Sequence, residues 1–339
     1  MNDQDTTAVV LPVRIAGLGA YLPERIVTND ELVTYLDTSD EWIKSRTGIE
    51  QRHRNAEDQA TSDLAIEAAK RALTNAQMSI DEITTIIVAT TTPDFSVPGT
   101  APIVAAALGS NATAFDLNAA CSGFLYGLQV GGALVAQGIG PVLLIGAESL
   151  SRILDPNDRS VAILFGDGAG AAVLVKDDTA TLGPFVLGAD GTDPSMLWTP
   201  AGGTRTPTDA AVVAANTHRL AMRGGDVYRN AVTRMTEASQ AVLKKAGQSI
   251  VDIDLFVGHQ ANVRILDAVA QRLAVPKEKI HITVNKHGNT SAASIPLALT
   301  DARDNGRIKH GDTVLLAAFG AGLTYGACLL TFSAPTKGS

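Results

Sequence analysis

The segment Ala76-Gln-Met-Ser-Ile-Asp-Glu-Ile-Thr-Thr-Ile-Ile87 can be laid on Ala246-Gly-Gln-Ser-Ile-Val-Asp-Ile-Asp-Leu-Phe-Val257 without a gap, at an offset of 170 residues, half of the 339-residue chain. Each copy follows an Ala-rich stretch, Asp63 to Ala76 and Ala231 to Ala246, with apolar residues recurring at spacings of 3, 4 and 7. That period marks an amphipathic helix. Each copy ends in a run with the character of a buried strand. Two further pairs keep the same order: Val142-Leu-Leu-Ile-Gly146 with Val314-Leu-Leu-Ala-Ala318, and Ala169 to Val175 with Tyr325 to Thr331. Ala-rich helices resemble one another by chance, but three matched pairs in one order favour an internal duplication. Helices alternating with short β-branched runs predict an α/β fold with largely parallel sheets sandwiched by helices. The expected halves are residues 1–180 and 181–339.

Composition agrees with two fused halves, because the length exceeds one ordinary domain. A hydrophobic fraction of 45% with 18% charged residues belongs to a compact enzyme with a large core. Glycine at 31 residues predicts many tight strand-to-helix corners. A net charge of −8 argues against nucleic acid or an anionic membrane as the main ligand. Two cysteines cannot make a disulfide framework, and Cys328 lies in an apolar run and reads as core. The first eight residues, MNDQDTTA, are polar and acidic, without the basic and apolar regions of a secretory signal. No apolar stretch reaches spanning length. A cytoplasmic protein is expected.

The candidate nucleophile is Cys121, in FDLNAACSGFLYGL from Phe115 to Leu128, where a short apolar run ends and a helical pattern begins. A lone cysteine in an Ala-rich run is more often core than catalyst. At a helix N-terminus, however, unpaired N–H groups and the helix dipole favour thiolate over thiol. The duplication supplies partners. Two halves related by a pseudo-twofold axis put equivalent corners face to face. The counterpart of the Cys121 corner follows Ile282-Thr-Val-Asn285 and holds Asn289, and the corner after Leu255-Phe-Val257 holds His259. Cys, His and Asn would converge on one crevice at strand C-termini, where α/β folds place ligands.

A Cys/His pair admits two chemistries. In a cysteine hydrolase the imidazole is base for the thiol, and water resolves the acyl-enzyme. In a Claisen-type acyltransferase the cysteine is acylated and a carbanion attacks the thioester. A carbanion formed by decarboxylation needs hydrogen-bond donors at its enolate oxygen. A neutral imidazole and an amide suit that task, since neither holds back the departing carboxylate. An imidazole and an amide from separate corners fit decarboxylative condensation better than hydrolysis. Backbone N–H groups near Cys121 and in the turn Phe319-Gly-Ala-Gly322, which includes Gly320, could form the oxyanion hole.

Eight segments in order, GLGAYLPERIVTND from Gly17, TSDEWIKSRTGI, AACSGF, SRILDPNDR, FGDGAGAAVL, HQAN, NKHGNTSAASIPLAL and FGAGLTYGA, make the chain resemble the β-ketoacyl-acyl carrier protein synthase III family of the thiolase superfamily. The resemblance covers nearly the whole chain. It implies a five-layered αβαβα thiolase-like fold, a homodimer, and condensation of an acyl-CoA primer with malonyl-acyl carrier protein in type II fatty-acid synthesis. It implies no cofactor and no metal beyond these substrates. Cys121 takes the place of the acylated nucleophile, with His259 and Asn289 as the decarboxylation pair and Phe319 beside them. CoA contacts fall on Trp42, Arg46 and Arg159, with Thr38, Gly224, Gly225 and Asn262 at further contacts. Trp42 and Arg159 would sandwich an adenine, and Arg46 would meet phosphate. Arg229, Arg264 and Arg272 fall near the positions that dock the acidic carrier protein. A solvated helix face explains Arg272 equally well, as surface ion pairs explain Arg46 and Arg159.

The chain departs from the family in two places. Gly258 stands before His259 where proline is usual, which predicts a looser catalytic corner. In TTTPDFSVPGTAP, Val97 stands where phenylalanine often floors the partner's acyl pocket, so primers bulkier or longer than acetyl are expected. The stretch Gly202 to Asn216 aligns poorly with the family and is expected as a mobile loop near the substrate entrance. Related functions are priming or tailoring of a polyketide or other secondary metabolite, and a non-catalytic partner subunit. Within the first, acyl transfer to oxygen or nitrogen without decarboxylation loses support from the joint presence of His259, Asn289 and Phe319, since it has no carboxylate to expel. The second loses support from Cys121.

Overall fold

The repeated segment decides the architecture because both copies fold alike. In the computed structural model, which describes residues 9–333, the helices Thr61–Ala76 and Gly224–Ala246 end in left-handed caps at Gln77 (φ 56°) and Gly247 (φ 65°). Each continues into a short 3-10 turn, Ile80–Glu82 or Ile250–Asp252, closed by a carboxylate that accepts from the backbone of the preceding serine. The bonds Ser79 N to Glu82 and Ser249 N to Asp252 are both 2.8 Å. A fully buried strand follows each turn, Thr85–Ala89 and Leu255–Gly258. The first eight residues, read above for a leader, lie outside the described range.

Two sheets result. The first runs Val13–Tyr21, Gly168–Lys176, Val142–Glu148, Thr85–Ala89, Thr113–Leu117 in spatial order. The second repeats that order with Leu182–Ala189, Thr324–Thr331, Thr313–Gly320 and Leu255–Gly258. The first sheet lies within residues 13–176 and the second within 182–331. Helices Gly123–Ala136 and Ser294–Asp304 lie between the sheets, in a core that takes Leu144 and Leu174 from one and Leu316 and Leu330 from the other. Thr61–Ala76 and Thr100–Leu108 cover the outer face of the first sheet, and Gly224–Ala246 and Val263–Leu273 that of the second. The layers are helix, sheet, helix pair, sheet, helix.

Two expectations need correction. The sheets are mixed, not largely parallel: each has parallel pairing toward one edge, Thr113–Leu117 or Leu255–Gly258, and antiparallel pairing toward the other, Val13–Tyr21 or Leu182–Ala189. Strands Thr313–Gly320 and Thr324–Thr331 are joined by Ala321, Gly322 and Leu323 alone, a link too short for a parallel crossover. The second sheet also lacks the counterpart of Thr113–Leu117. Residues 282–285, expected as a strand end, give way to the short helix Val284–His287, and the ladder shrinks to one bridge, Phe256 to Ile280. The Gln260 side chain replaces the missing ladder. It donates to Gly258 O (2.8 Å) and His281 O (3.1 Å) and accepts from Thr283 N (2.8 Å) and Val284 N (3.2 Å). The true counterpart of Asn118 is therefore Asn289, four residues beyond Asn285.

Candidate active site

The two facing corners share a backbone device. Asn118 Oδ1 accepts from Ala120 N (3.2 Å) and Asn289 Oδ1 from Ser291 N (2.9 Å), and both Ala120 and Ser291 take φ 47°. Such a conformation is uncommon for a residue with a Cβ and costs of order 1–3 kcal/mol. It turns the chain sharply into the two central helices, so that Cys121 stands one turn before Gly123–Ala136. Nothing in Ala120 or Ser291 announces this; the signal is the shared Asn, two residues upstream in each half.

Cys121, His259, Asn289 and Phe319 line one cavity of about 410 Å³. A second cavity, about 400 Å³, opens on the other side of Cys121, between Leu150, Ile153, Leu197, Trp198 and Leu220. The sulfur sits where they meet. Gly320 makes this approach possible, since a Cβ there would lie 2.6 Å from Cys121 N.

Burial sets the protonation states. It pushes the Cys121 thiol up to about 12, against a weaker downward pull from the Ser291 hydroxyl and with a further push from the Glu148 carboxylate. The resting group is a thiol, contrary to the expectation from the helix N-terminus: desolvation outweighs the dipole. Burial also holds the His259 imidazole down to about 3, so the ring is neutral. Its Nδ1 lies 2.6 Å from Ser294 Oγ, and its backbone N donates to Ala317 O (2.8 Å). Asn289 is clamped by Asn289 N to Leu164 O (2.8 Å) and Gly166 N to Asn289 O (3.0 Å). Because its Oδ1 is taken by the Ser291 amide, its Nδ2 is left to donate.

Glu148 had no place in the sequence reading. It is fully buried, ends the strand Val142–Glu148, and accepts from Thr92 Oγ1 (2.7 Å), Ser291 Oγ (2.9 Å), and Thr91 through both N (3.2 Å) and Oγ1 (3.0 Å). Burial raises its pKa and these donors lower it. It ties the strand end of one half to the Asn289 corner of the other.

Family models agree with this geometry. That of 3-oxoacyl-[acyl-carrier-protein (ACP)] synthase III matches residues 115–191, and that of the synthase's C-terminal part matches residues 243–332. The β-ketoacyl-[acyl-carrier-protein] synthase III 3 of Streptomyces coelicolor is 50% identical over 325 residues, 94% of this chain and 97% of the relative. The chain belongs to the β-ketoacyl-acyl carrier protein synthase III family. The solved synthase III of Thermus thermophilus is 47% identical, covers 95% of this chain and 99% of its own, and superposes with a TM-score of 0.88. The priming β-ketosynthase of the R1128 polyketide biosynthetic pathway is 36% identical, with coverages of 96% and 98% and a TM-score of 0.90. Membership makes the chain a condensing acyltransferase on a thiolase-like fold.

The other expected synthase III residues divide by position. Gly224, Gly225, Arg229, Asn262 and Arg264 line the first cavity with the catalytic candidates. Asn262 is also an N-cap, its Oδ1 accepting from Arg264 N (2.8 Å) while its Nδ2 donates to Arg46 O (3.2 Å). Trp42 carries the Arg159 guanidinium 4.7 Å from its ring centroid and Arg46 at 6.0 Å. That spacing leaves no slot for an adenine, which needs about 7 Å between its two stacking partners at ordinary contact distances. Thr38 is half-buried, with its Oγ1 unpaired. Arg229 pairs with Asp226, and Arg264 lies over the Tyr228 ring at 5.7 Å. Arg272 is removed from the mouth. It is eight residues beyond Arg264 on the same helix, about 12 Å along the axis, and faces Thr233.

Gly258 is not a loose point. It pairs with Ala317 in the sheet and is buried, and a Cβ would meet Leu266 at 2.6 Å. Val97 is 87% exposed and lines neither cavity. The unmatched stretch 202–216 is an excursion from the small hairpin Leu197–Trp198 and Ala221–Met222, tied back by Ala201 N to Thr217 O (3.1 Å). Its roots, Trp198, Thr199 and Leu220, border the second cavity. Among the described residues no helix is long and apolar enough to cross a membrane, and no His, Cys, Asp or Glu cluster could hold a metal.

Proposed function

We propose that this chain condenses an acyl-CoA primer with malonyl-acyl carrier protein through an acyl-Cys121 intermediate, giving 3-oxoacyl-acyl carrier protein, CO2 and CoA. The carrying observation is that Cys121 lies between two cavities, one of which also presents a neutral imidazole and a fixed amide donor. In the first step the Cys121 sulfur attacks the CoA thioester. The C–S bond to CoA breaks, and the thiol proton goes to the departing CoA sulfur. Exchanging one thioester for another is close to neutral in free energy, and the sulfur sheds its proton as it attacks, because the thiolate is the nucleophile. The N–H groups of Cys121 and the Phe319–Gly322 turn stabilise the tetrahedral oxyanion.

In the second step the malonyl C–C bond breaks, CO2 leaves, and the electron pair becomes an enolate. His259 Nε2–H and Asn289 Nδ2–H hold its oxygen, and Phe319 keeps an apolar wall where the carboxylate departs. The carbanion attacks the acyl carbonyl, and the Cys121 sulfur leaves and regains a proton from solvent. The acyl chain occupies the second cavity. In a cytoplasmic homodimer Val97 of the partner closes it, and this small floor admits branched or medium-length primers. A polyketide-priming role is the second reading, supported by the likeness to the R1128 enzyme. Trp42, Arg46, Arg159, Thr38, Gly224, Gly225 and Asn262 receive CoA, while Arg229 and Arg264 receive the carrier protein.

Separate assays of the two steps test this. His259→Ala and Asn289→Ala should each retain acylation of Cys121 by acyl-CoA yet lose CO2 release from malonyl-carrier by about 10²- to 10³-fold, the usual cost of an oxyanion donor. Equal loss of both steps, or undiminished CO2 release, would contradict the division of labour.

A further inference from the structure

Ser294 opens the central helix Ser294–Asp304 and is 1% exposed. Its Oγ is 2.6 Å from His259 Nδ1 and 3.4 Å from Gln260 N. A backbone amide can only donate, so Gln260 uses a lone pair of the hydroxyl oxygen. The hydroxyl proton then has one acceptor among the described residues, His259 Nδ1. Were Nδ1 protonated, Oγ would face two donors and its own proton would be buried without a partner, a state folded proteins avoid. Gln260 is in turn immobilised by four hydrogen bonds of its side chain, to Gly258, His281, Thr283 and Val284.

The duplication supplies an internal control. At the matching place in the first half, the helix Gly123–Ala136 opens on Gly123, whose added Cβ would lie 3.1 Å from that of Ala89. Ala89 ends the strand that corresponds to Leu255–Gly258, as His259 follows its own. Where one half packs Gly against Ala, the other packs Ser against His. The polar pair is present only on the side that also holds the amide of Asn289.

We propose that Ser294 is a positioning residue that keeps the proton of His259 on Nε2, where it can be donated into the cavity. This rests on the role given to His259 above. Histidine-15N NMR of the full-length protein, with His259→Ala to assign the signal, reads the tautomer directly. The wild-type ring should show an unprotonated Nδ1 and a protonated Nε2. Ser294→Ala should shift the ring toward a mixture and slow CO2 release by about tenfold, less than deletion of a donor outright, with acylation of Cys121 changed less than twofold. Ser294→Thr, which keeps the hydroxyl, should restore both the tautomer and the rate, and it serves equally if the alanine variant folds poorly. Unchanged imidazole shifts in Ser294→Ala, or an equal fall in both steps, would overturn the proposal. If His259→Ala itself leaves CO2 release intact, the role of His259 fails instead, so the two failures are separable.

Discussion

Cys121 and His259 are each held in their uncharged form by burial, and this is where residue chemistry departs from what position in the chain suggests. With the thiol pushed up to about 12, alkylation of Cys121 by iodoacetamide should keep accelerating with pH up to at least about 10, since the thiolate is the reactive species. A plateau near neutral pH would mean that the helix N-terminus wins after all. The type and order of residues pointed to Cys121, His259 and Asn289 as candidates through their motifs. The structure brings all three to one cavity, although Asn289 follows the short helix Val284–His287 and not the strand end expected for it. The sequence did not single out Glu148, Ser291 or Ser294. A Glu after an apolar run, or a Ser in an Ala-rich string, becomes informative only when the opposite half delivers its partner: Ser291 to Glu148 at 2.9 Å, His259 to Ser294 at 2.6 Å.

Among the elements, the strand Thr313–Gly320 matters most to the site because its last residue abuts the nucleophile. Gly320→Ala would put a methyl 2.6 Å from Cys121 N and 3.1 Å from its Cβ, so backbone must move. A displacement of about 1 Å at a reacting group costs on the order of 100-fold, and the variant should form the acyl adduct that much more slowly. Wild-type rates of adduct formation, followed by intact-protein mass, would show that the corner tolerates the methyl. Helices and buried strands were legible from their periods. The antiparallel flanks and the missing fifth strand were not. Residues 282–285 have a strand's composition, but the Gln260 side chain occupies the N–H groups of Thr283 and Val284 that a ladder would use, a competition that no local propensity records.

At the scale of the whole molecule, the buried histidines couple folding to pH. Burial holds His259 down to about 3 and His287 down to about 4, whereas both titrate near 6.5 in an unfolded chain. Between these values the unfolded state binds more protons, so stability is complete above about pH 6.5 and is lost as pH falls toward about 4. Glu148 and Asp167, raised by burial, work in the opposite sense and offset part of the loss. His287→Asn should remove about 3 kcal/mol of this dependence, since each tenfold change in proton affinity on folding is worth about 1.4 kcal/mol; an unchanged slope of melting temperature against pH would contradict it. The duplication that made the fold readable also explains the site. It brings the Cys121 corner and the Asn289 corner together across one axis, with one cavity on each side of the sulfur. The mass of the Cys121-containing peptide after the protein meets a mixed acyl-CoA pool, before and after malonyl-acyl carrier protein is added, tests the joint consequence. The expected outcome is an acyl adduct on Cys121, with branched or medium chains at least as abundant as acetyl, discharged with release of one CO2 per adduct. An adduct on another residue, or one that water clears as fast as malonyl-carrier does, would contradict decarboxylative condensation at this site.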